Sequence, residues 1–313
     1  MTSPSKKLAS LGLAPSKARG QNFIKEPFYA DKVAKVIIDQ VKNYPGPITN
    51  SPGLPLPNST VTKAPENDSA QTTQSSETLE TTQNIALVEI GPGLGTLTKR
   101  MLQAGFSLTA VEVDRGLAKE LSQWTIEEKK LKVLCQDILT LNLENDLGKK
   151  PYLVFGNLPY NLSTPILFWF MDQAQVAPMG IFMLQKEMAQ TLTSKPNSRD
   201  YGRLSVAFSL WYEVRTVYHF PPEAFLPRPK VDSSLVSLKL KGQPPTDKER
   251  AALGRLTAAA FFSRRKTIQN NLKARYGPEK AVSVLEKLQI DPQRRPETLD
   301  PTTFSQLAQL LEN

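Results

Sequence analysis

Gly91-Pro92-Gly93-Leu94-Gly95 follows an apolar run, Ala86–Ile90, and opens a stretch of helical periodicity from Leu94 to Gln103. Glycines at such a junction let backbone approach a ligand closely, and the helix start offers free N–H groups. A dinucleotide site wants its third glycine one residue later, where this chain has Thr96, and Pro92 stiffens the turn. Glu112 ends the next strand-like run, 17 residues after Gly95. At a strand's carboxyl end its two oxygens can accept from both hydroxyls of a ribose. The plain alternative is a strand-end carboxylate in solvent. Asp137 lies just past a third run, Leu131–Cys135. It can accept from the exocyclic amine of an adenine, or simply cap a helix. Asn157-Leu158-Pro159-Tyr160 follows a fourth run, Tyr152–Phe155. An exocyclic amine on an aromatic ring is a poor nucleophile, because its lone pair is delocalised into the ring. An Asn oxygen and a rigid backbone carbonyl accepting both N–H bonds favour the pyramidal, attacking nitrogen. An aromatic side chain beside them can stack on the base, worth ~1–3 kcal/mol. The plain alternative is a polar turn with Tyr160 packed on the core.

The rest of the composition removes other chemistries. The 313 residues hold one Cys (Cys135) and one His (His219). No internal disulfide, multi-Cys cluster or multi-His metal site is possible, so no protein-bound metal is expected. A Ser-His-Asp triad could run only through His219. Lys and Arg number 39 against 30 Asp and Glu, a net charge of +9 that points to a polyanion, nucleic acid first. No apolar run approaches the ~20 residues of a spanning helix, so no membrane is expected. The N-terminus lacks the apolar core of a signal peptide and is short for a transit peptide. A cytoplasmic, reducing setting is expected.

The candidate residues must be positioned by alternating elements. Residues 85–241 read β-α-β-α, with helical stretches at Arg115–Trp124 and Thr164–Met171 and later strands at Gly180–Gln185, Val214–Tyr218 and Ser234–Leu240. This rhythm predicts a mainly parallel sheet with helices on both faces. Ligands of such sheets sit outside the strands' carboxyl ends, so the Gly-rich turn, Glu112, Asp137 and Asn157 can meet in one place. Residues 1–43 are basic, net +5. Met1–Gly20 is expected to stay mobile, and Pro27–Asn43 to form a first helix. Residues 44–84 hold six prolines and 13 Ser or Thr, with net charge −3. That composition cannot bury enough apolar surface to order itself and reads as a disordered insertion. After Gly242-Gln243-Pro244-Pro245 the character turns helical. Residues 246–313, net +4, carry candidate helices at Asp247–Phe262, Lys266–Tyr276, Glu279–Leu288 and Thr302–Leu311. Arg264, Arg265 and Lys266 sit beside a helix start there, suited to a phosphate backbone or simply to a solvated face.

The Gly91–Gly95 turn resembles motif I of class I S-adenosylmethionine methyltransferases. Asn157–Tyr160 resembles the [DNS]-P-P-[YFW] motif of those that modify exocyclic amines. With further blocks the likeness narrows. Gly20-Gln21-Asn22-Phe23-Ile24, Val88–Leu97, Asn157–Ser163, Gln185-Lys186-Glu187, Tyr201–Ser205 and Phe225–Ser233 resemble, in order, blocks of the small-subunit ribosomal RNA adenine N6,N6-dimethyltransferases. The likeness runs from about Lys17 to the C-terminus and is interrupted by 44–84. Two departures stand out: Ile24 replaces the family's usual Leu, and about 40 residues separate the first helix from motif I.

The resemblance implies a Rossmann-like class I S-adenosylmethionine-dependent methyltransferase domain of α/β class, with a small all-helical C-terminal domain. It implies a cofactor site of Asn22, Ile24, Gly91, Gly93, Glu112, Asp137 and Asn157, with 1–43 folding over the cofactor. It implies a target pocket of Asn157, the Leu158 carbonyl, Pro159, Tyr160 and Phe225, and rRNA binding by 246–313 through Arg264, Arg265 and Lys266. The implied partner is small-subunit rRNA in a pre-small-subunit particle, and the implied state is a monomer. Rivals are a large-subunit rRNA methyltransferase of the macrolide-resistance type and a non-enzymatic assembly or transcription factor on the same fold. A nicotinamide dehydrogenase is disfavoured by the glycine spacing.

Overall fold

The computed structural model describes residues 4–15, 20–46 and 85–312. Lys17 and the insertion beyond Gly46 lie outside the described residues. The chain opens with α1 (Pro4–Ser10), the short strand β1 (Phe23–Ile24) and α2 (Pro27–Lys42). Next come β2 (Ala86–Ile90), α3 (Thr96–Gln103), β3 (Leu108–Val111), α4 (Arg115–Trp124), β4 (Leu131–Leu134), α5 (Leu143–Leu147), β5 (Tyr152–Asn157), α6 (Ser163–Asp172) and β6 (Met179–Gln185). Then follow α7 (Lys186–Thr193), α8 (Arg203–Trp211), β7 (Tyr212–Phe220), β8 (Phe225–Leu226) and β9 (Ser233–Leu240). Four helices close the chain: α9 (Asp247–Ala260), α10 (Ile268–Tyr276), α11 (Pro278–Lys287) and α12 (Pro301–Leu311).

The main sheet has seven strands in the order β4-β3-β2-β5-β6-β9-β7. The first five are parallel, whereas β9 pairs antiparallel with both β6 and β7. The sheet is therefore more mixed than the strand–helix rhythm predicts. Between β7 and β9 the chain makes only a short excursion through β8, without the crossover helix a parallel neighbour requires. Strand β2 is buried along four of its five residues, as expected of a strand covered on both faces. Successive strands run outward from β2 through β3 and β4, but from β5 the order grows in the opposite direction. The switch point lies between β2 and β5, where Ile90 is in register with Gly156. The Gly-rich turn and Asn157 leave the sheet side by side there.

Helix α2 starts with Pro27, whose fixed φ suits a first helical position. Its buried face, Ala30, Val33, Ala34 and Ile37, follows helical spacing and shares a core cluster with Leu87, Leu97 and Met101. The segment expected to be mobile is partly ordered: α1 buries Leu8 against Phe23, Leu94 and Leu117. Lys7 Nζ donates to the Leu94 carbonyl at 3.3 Å and lies 4.9 Å over the Trp124 ring. Strand β1 pairs antiparallel with β8, Phe23 opposite Leu226 and Ile24 opposite Phe225.

At the other end, Thr246 and Glu249 form a reciprocal capping box that starts α9. Arg250 reaches Asp172 at 3.1 Å, tying α9 to the end of α6. The core is continuous across this junction: one cluster runs from Val88 through Phe208 to Leu256, Phe304 and Leu311. Among the described residues no helix is long and apolar enough to cross a membrane, and no group of His, Cys, Asp and Glu could hold a metal.

Candidate cofactor and target-amine site

A cavity of 250 Å³ opens at the switch point. Strand ends β2, β3 and β5 supply its floor, the Gln136–Ile138 stretch after β4 one flank, and Gly20–Phe23 its cover. Of the residues expected in the site, Asn22, Gly91, Gly93, Glu112, Asp137, Asn157, Leu158 and Pro159 line it together.

The cover is fitted closely. Gly93 has φ +57, and a side-chain carbon there would lie 2.8 Å from the Phe23 ring. Gly20 has φ +61, and such a carbon would lie 2.6 Å from Asn161 Oδ1. Both positions need a left-handed backbone and leave no room for a side chain, so only glycine lets the N-terminal segment descend onto these two loops.

Glu112 is 4% exposed. Its Oε2 accepts from Gly93 N–H at 3.1 Å and its Oε1 from Asp114 N–H at 2.9 Å. A carboxylate has about four acceptor positions, so room is left for ligand hydroxyls. Burial pushes this carboxyl above its usual range, opposed by the backbone N–H groups of Asp114, Gly93 and Val113. Glu89, just beneath, is 2% exposed and accepts from Thr98 Oγ1 at 2.6 Å. Burial, reinforced by the negative Glu112, pushes Glu89 up to about 8. Asp137 realises one reading without losing the other. Its Oδ1 accepts from Leu139 N–H at 3.0 Å, capping the turn Ile138–Thr140, while the residue lines the cavity.

Asn157 ends β5. Its Nδ2 donates to the Asn22 carbonyl, which fixes the orientation of the amide. The opposite atom, Oδ1, is buried without a partner. A buried acceptor left unpaired costs ~1–3 kcal/mol, so this oxygen is set to receive an N–H from a ligand. Leu158 N–H donates to the Met183 carbonyl at 3.1 Å, holding the next peptide in place. Tyr160 is half-buried, and its hydroxyl meets Ser233 Oγ at 2.7 Å.

Three expected residues do not line this cavity. Ile24 and Phe225 are 5% and 2% exposed and face each other across the β1–β8 pair, inside the core cluster. Phe225 lies edge-on to Phe220 at 6.2 Å. Tyr160 flanks the cavity between two lining residues, Pro159 and Asn161. Arg264, Arg265 and Lys266 stand apart on the loop after α9, all exposed. Arg264 donates to the Tyr201 carbonyl at 3.0 Å, so part of that basic trio is a brace. The composition-led reading missed Val113, Ile138 and Ile166 as lining residues. They carry no chemical signal of their own, and only their places beside Glu112, Asp137 and Asn157 could have revealed them. Among the described residues the ionisable lining groups are Glu112 and Asp137, two carboxylates.

This donor and acceptor set fits S-adenosylmethionine. It offers paired acceptors for a ribose, an acceptor for an adenine amine, apolar walls at Val113 and Ile138, and an acidic surround for a sulfonium cation.

Comparison with known proteins agrees. A family model described as ribosomal RNA adenine dimethylase matches residues 66–313. The chain is 43% identical over 230 residues to the ribosomal RNA small subunit methyltransferase A of Cronobacter sakazakii, covering 72% of this chain and 82% of that protein. It is 40% identical over 226 residues to the protein of the same name from Idiomarina loihiensis, covering 72% and 77%. Among solved structures, a dimethyladenosine transferase from Plasmodium falciparum superposes with a TM-score of 0.59 at 23% identity, covering 71% of this chain and 88% of that one. The 23S rRNA methyltransferase ErmE superposes with a TM-score of 0.53 at 23% identity, covering 74% and 92%. These two establish the shared fold.

Proposed function

This chain belongs to the ribosomal RNA adenine dimethylase family, and from that premise we propose that it dimethylates N6 of two adjacent adenosines in the 3′-terminal hairpin loop of small-subunit rRNA. S-adenosylmethionine is the methyl donor, and the protein acts as a cytoplasmic monomer on a pre-small-subunit particle. The observation that carries this assignment is Asn157, whose Oδ1 is buried and unpartnered and which lines the cavity together with the carboxylates Glu112 and Asp137.

The bound cofactor supplies an electrophilic methyl group already activated on its sulfonium. The protein's tasks are then binding and orientation. Glu112 holds the ribose hydroxyls through the acceptor positions that Gly93 and Asp114 leave over. Asp137 accepts from the adenine amine, and Asn22 with Phe23 closes the cofactor off from above. The target adenine leaves its stack, at a cost of a few kcal/mol that is least for an unpaired loop nucleotide. Tyr160, pinned by Ser233, offers its ring to the extruded base. In the first transfer Asn157 Oδ1 and the Leu158 carbonyl accept the two N6 hydrogens, which favours a pyramidal nitrogen whose lone pair is no longer delocalised into the ring. The two carboxylates of the cavity, Glu112 and Asp137, are committed to the cofactor, and the proton released from the methylated nitrogen passes to water. Arg265 and Lys266 lie away from the cavity, where the rRNA phosphate backbone is engaged.

Small subunits lacking the modification, incubated with the protein and tritiated S-adenosylmethionine, should take up label at two adjacent adenosines of the 3′-terminal loop, located by reverse-transcription stops. Label in large-subunit rRNA would move the assignment to the macrolide-resistance type. No incorporation into either subunit would support a binding protein on a methyltransferase fold.

A further inference from the structure

Helix α9 is followed by two consecutive phenylalanines that meet opposite fates. Phe261 is stacked on Phe304, with centroids 5.4 Å apart and planes at 26°, and sits edge-on to Tyr201 at 6.2 Å. With that ring anchored, the next residue is turned away from the core. Phe262 is 80% exposed.

The loop that displays it is held from three sides. Asn271, 2% exposed, accepts from Ser263 N–H at 3.2 Å and donates to the Ser263 carbonyl at 3.0 Å. Arg264 donates to the Tyr201 carbonyl at 3.0 Å, and Thr267 caps α10. Lys266 N–H closes a tight turn onto the Ser263 carbonyl at 3.1 Å. The result is a fixed loop that presents one bare aromatic ring, with the exposed Arg265 and Lys266 three and four residues after it.

We propose that Phe262 is a stacking platform for an unpaired nucleobase of the RNA substrate, with Arg265 and Lys266 neutralising the adjoining phosphates. The proposal rests on the rRNA assignment above and places a second base contact on the helical tail, apart from the target pocket. An aromatic face accepts any base, and combining it with flanking cations is how proteins hold single-stranded nucleic acid. A double helix keeps its bases stacked, so the partner is a nucleotide in a loop, bulge or strand end. The residues following Phe262 are Ser263 and then Arg264, Arg265 and Lys266, a run of cations that matches the charge of a phosphate backbone.

Binding of unmethylated small subunits, measured across a salt series, tests this. Phe262→Ala should weaken binding about 5- to 150-fold, the range of one lost base–aromatic stack, and leave the salt slope unchanged. Phe262→Trp should restore binding and Phe262→Leu should not. Arg265→Ala with Lys266→Ala should instead flatten the salt slope. A benzophenone side chain placed at position 262 should cross-link to rRNA. Cross-linking to a ribosomal protein, full rescue by Leu, or an Ala variant that binds like the unaltered protein would each overturn the proposal. Failure of the unaltered protein to bind or methylate small subunits would overturn the rRNA assignment instead.

Discussion

Asn157 shows how one side chain joins two parts of the site. Its Nδ2 holds the Asn22 carbonyl of the cover, and its Oδ1 waits for a ligand N–H. Replacing it with Ala should abolish methyl transfer, because the buried, unpartnered acceptor that favours a pyramidal N6 is then lost. Cofactor affinity should also fall, by about fivefold, because the cover loses one hydrogen bond worth ~1 kcal/mol. Single-turnover transfer and equilibrium cofactor binding separate the two effects, and transfer surviving in Asn157→Ala would refute the amine-orienting role. The acceptor role was legible in sequence, because an Asn before Leu158-Pro159-Tyr160 at a strand end has few other uses. The bond to Asn22 was not, since 135 residues separate the pair. Glu89 was likewise invisible as a titrating group: only folding buries it beneath Glu112. Burial lifts its carboxyl from an ordinary 4.5 to about 8. Between those values the native protein keeps a proton that the unfolded chain has released. Stability therefore falls as pH rises through that window and is level on this account above it. Glu89→Gln, which keeps an acceptor for Thr98 and cannot ionise, should melt with the parent protein near pH 5 and above it near pH 8.5. Melting curves with the same pH slope in both would show that Glu89 is not the group responsible.

Among the elements, α1 changes how the cofactor site is understood. The basic, small-residue start of the chain looked like a tail, and a seven-residue helix is too short for periodicity to reveal. Yet Leu8 packs on Leu94 and Lys7 holds the Leu94 carbonyl, so α1 braces the Gly-rich turn from outside. Leu8→Ala should loosen that turn and raise the cofactor Kd about tenfold, ~1.4 kcal/mol. The rest of the molecule does not hang on α1, so the melting temperature should move by less than about 2 °C. A large loss of stability with unchanged cofactor affinity would make α1 a fold element rather than a site element. Helix α8 escaped the sequence for the opposite reason. Leu204, Ser205, Val206, Ala207 and Phe208 are all buried, because α8 lies between the sheet and the tail helices. A helix covered all round has no polar face and so no amphipathic period. Strands β2, β3 and β5 were the readable part, as each is a short apolar run that leads directly into a residue or turn of chemical use: the Gly-rich turn, Glu112 and Asn157.

At the scale of the whole molecule, core packing spans both joins in the sequence. The break between Gly46 and Ile85 is bridged by packing, since Ile37 of α2 and Leu87 of β2 share one core cluster. Replacing 47–84 with a short Gly/Ser linker should leave the melting temperature within about 2 °C, and a collapse would mean those residues are part of the fold. The Pro-rich join at 242–245 suggested two separable domains, but the core does not divide there. Leu256, fully buried on α9, belongs to the same cluster as Phe208 of α8 and Val88 of β2, and Arg250 is anchored on Asp172 of α6. A helical tail sharing its core with the sheet cannot unfold while leaving the sheet intact, so the described parts should melt as one cooperative unit. Leu256→Ala removes buried apolar contacts that hold the two sides together and should cost ~2–5 kcal/mol. At ~2–4 °C per kcal/mol for a chain of this size, the single transition should move down by roughly 4–20 °C. Cofactor binding, followed along the same temperature ramp, should be lost with the heat-absorption peak rather than after it. Two peaks, with cofactor binding surviving the first, would show that the tail is an independent domain docked on the sheet.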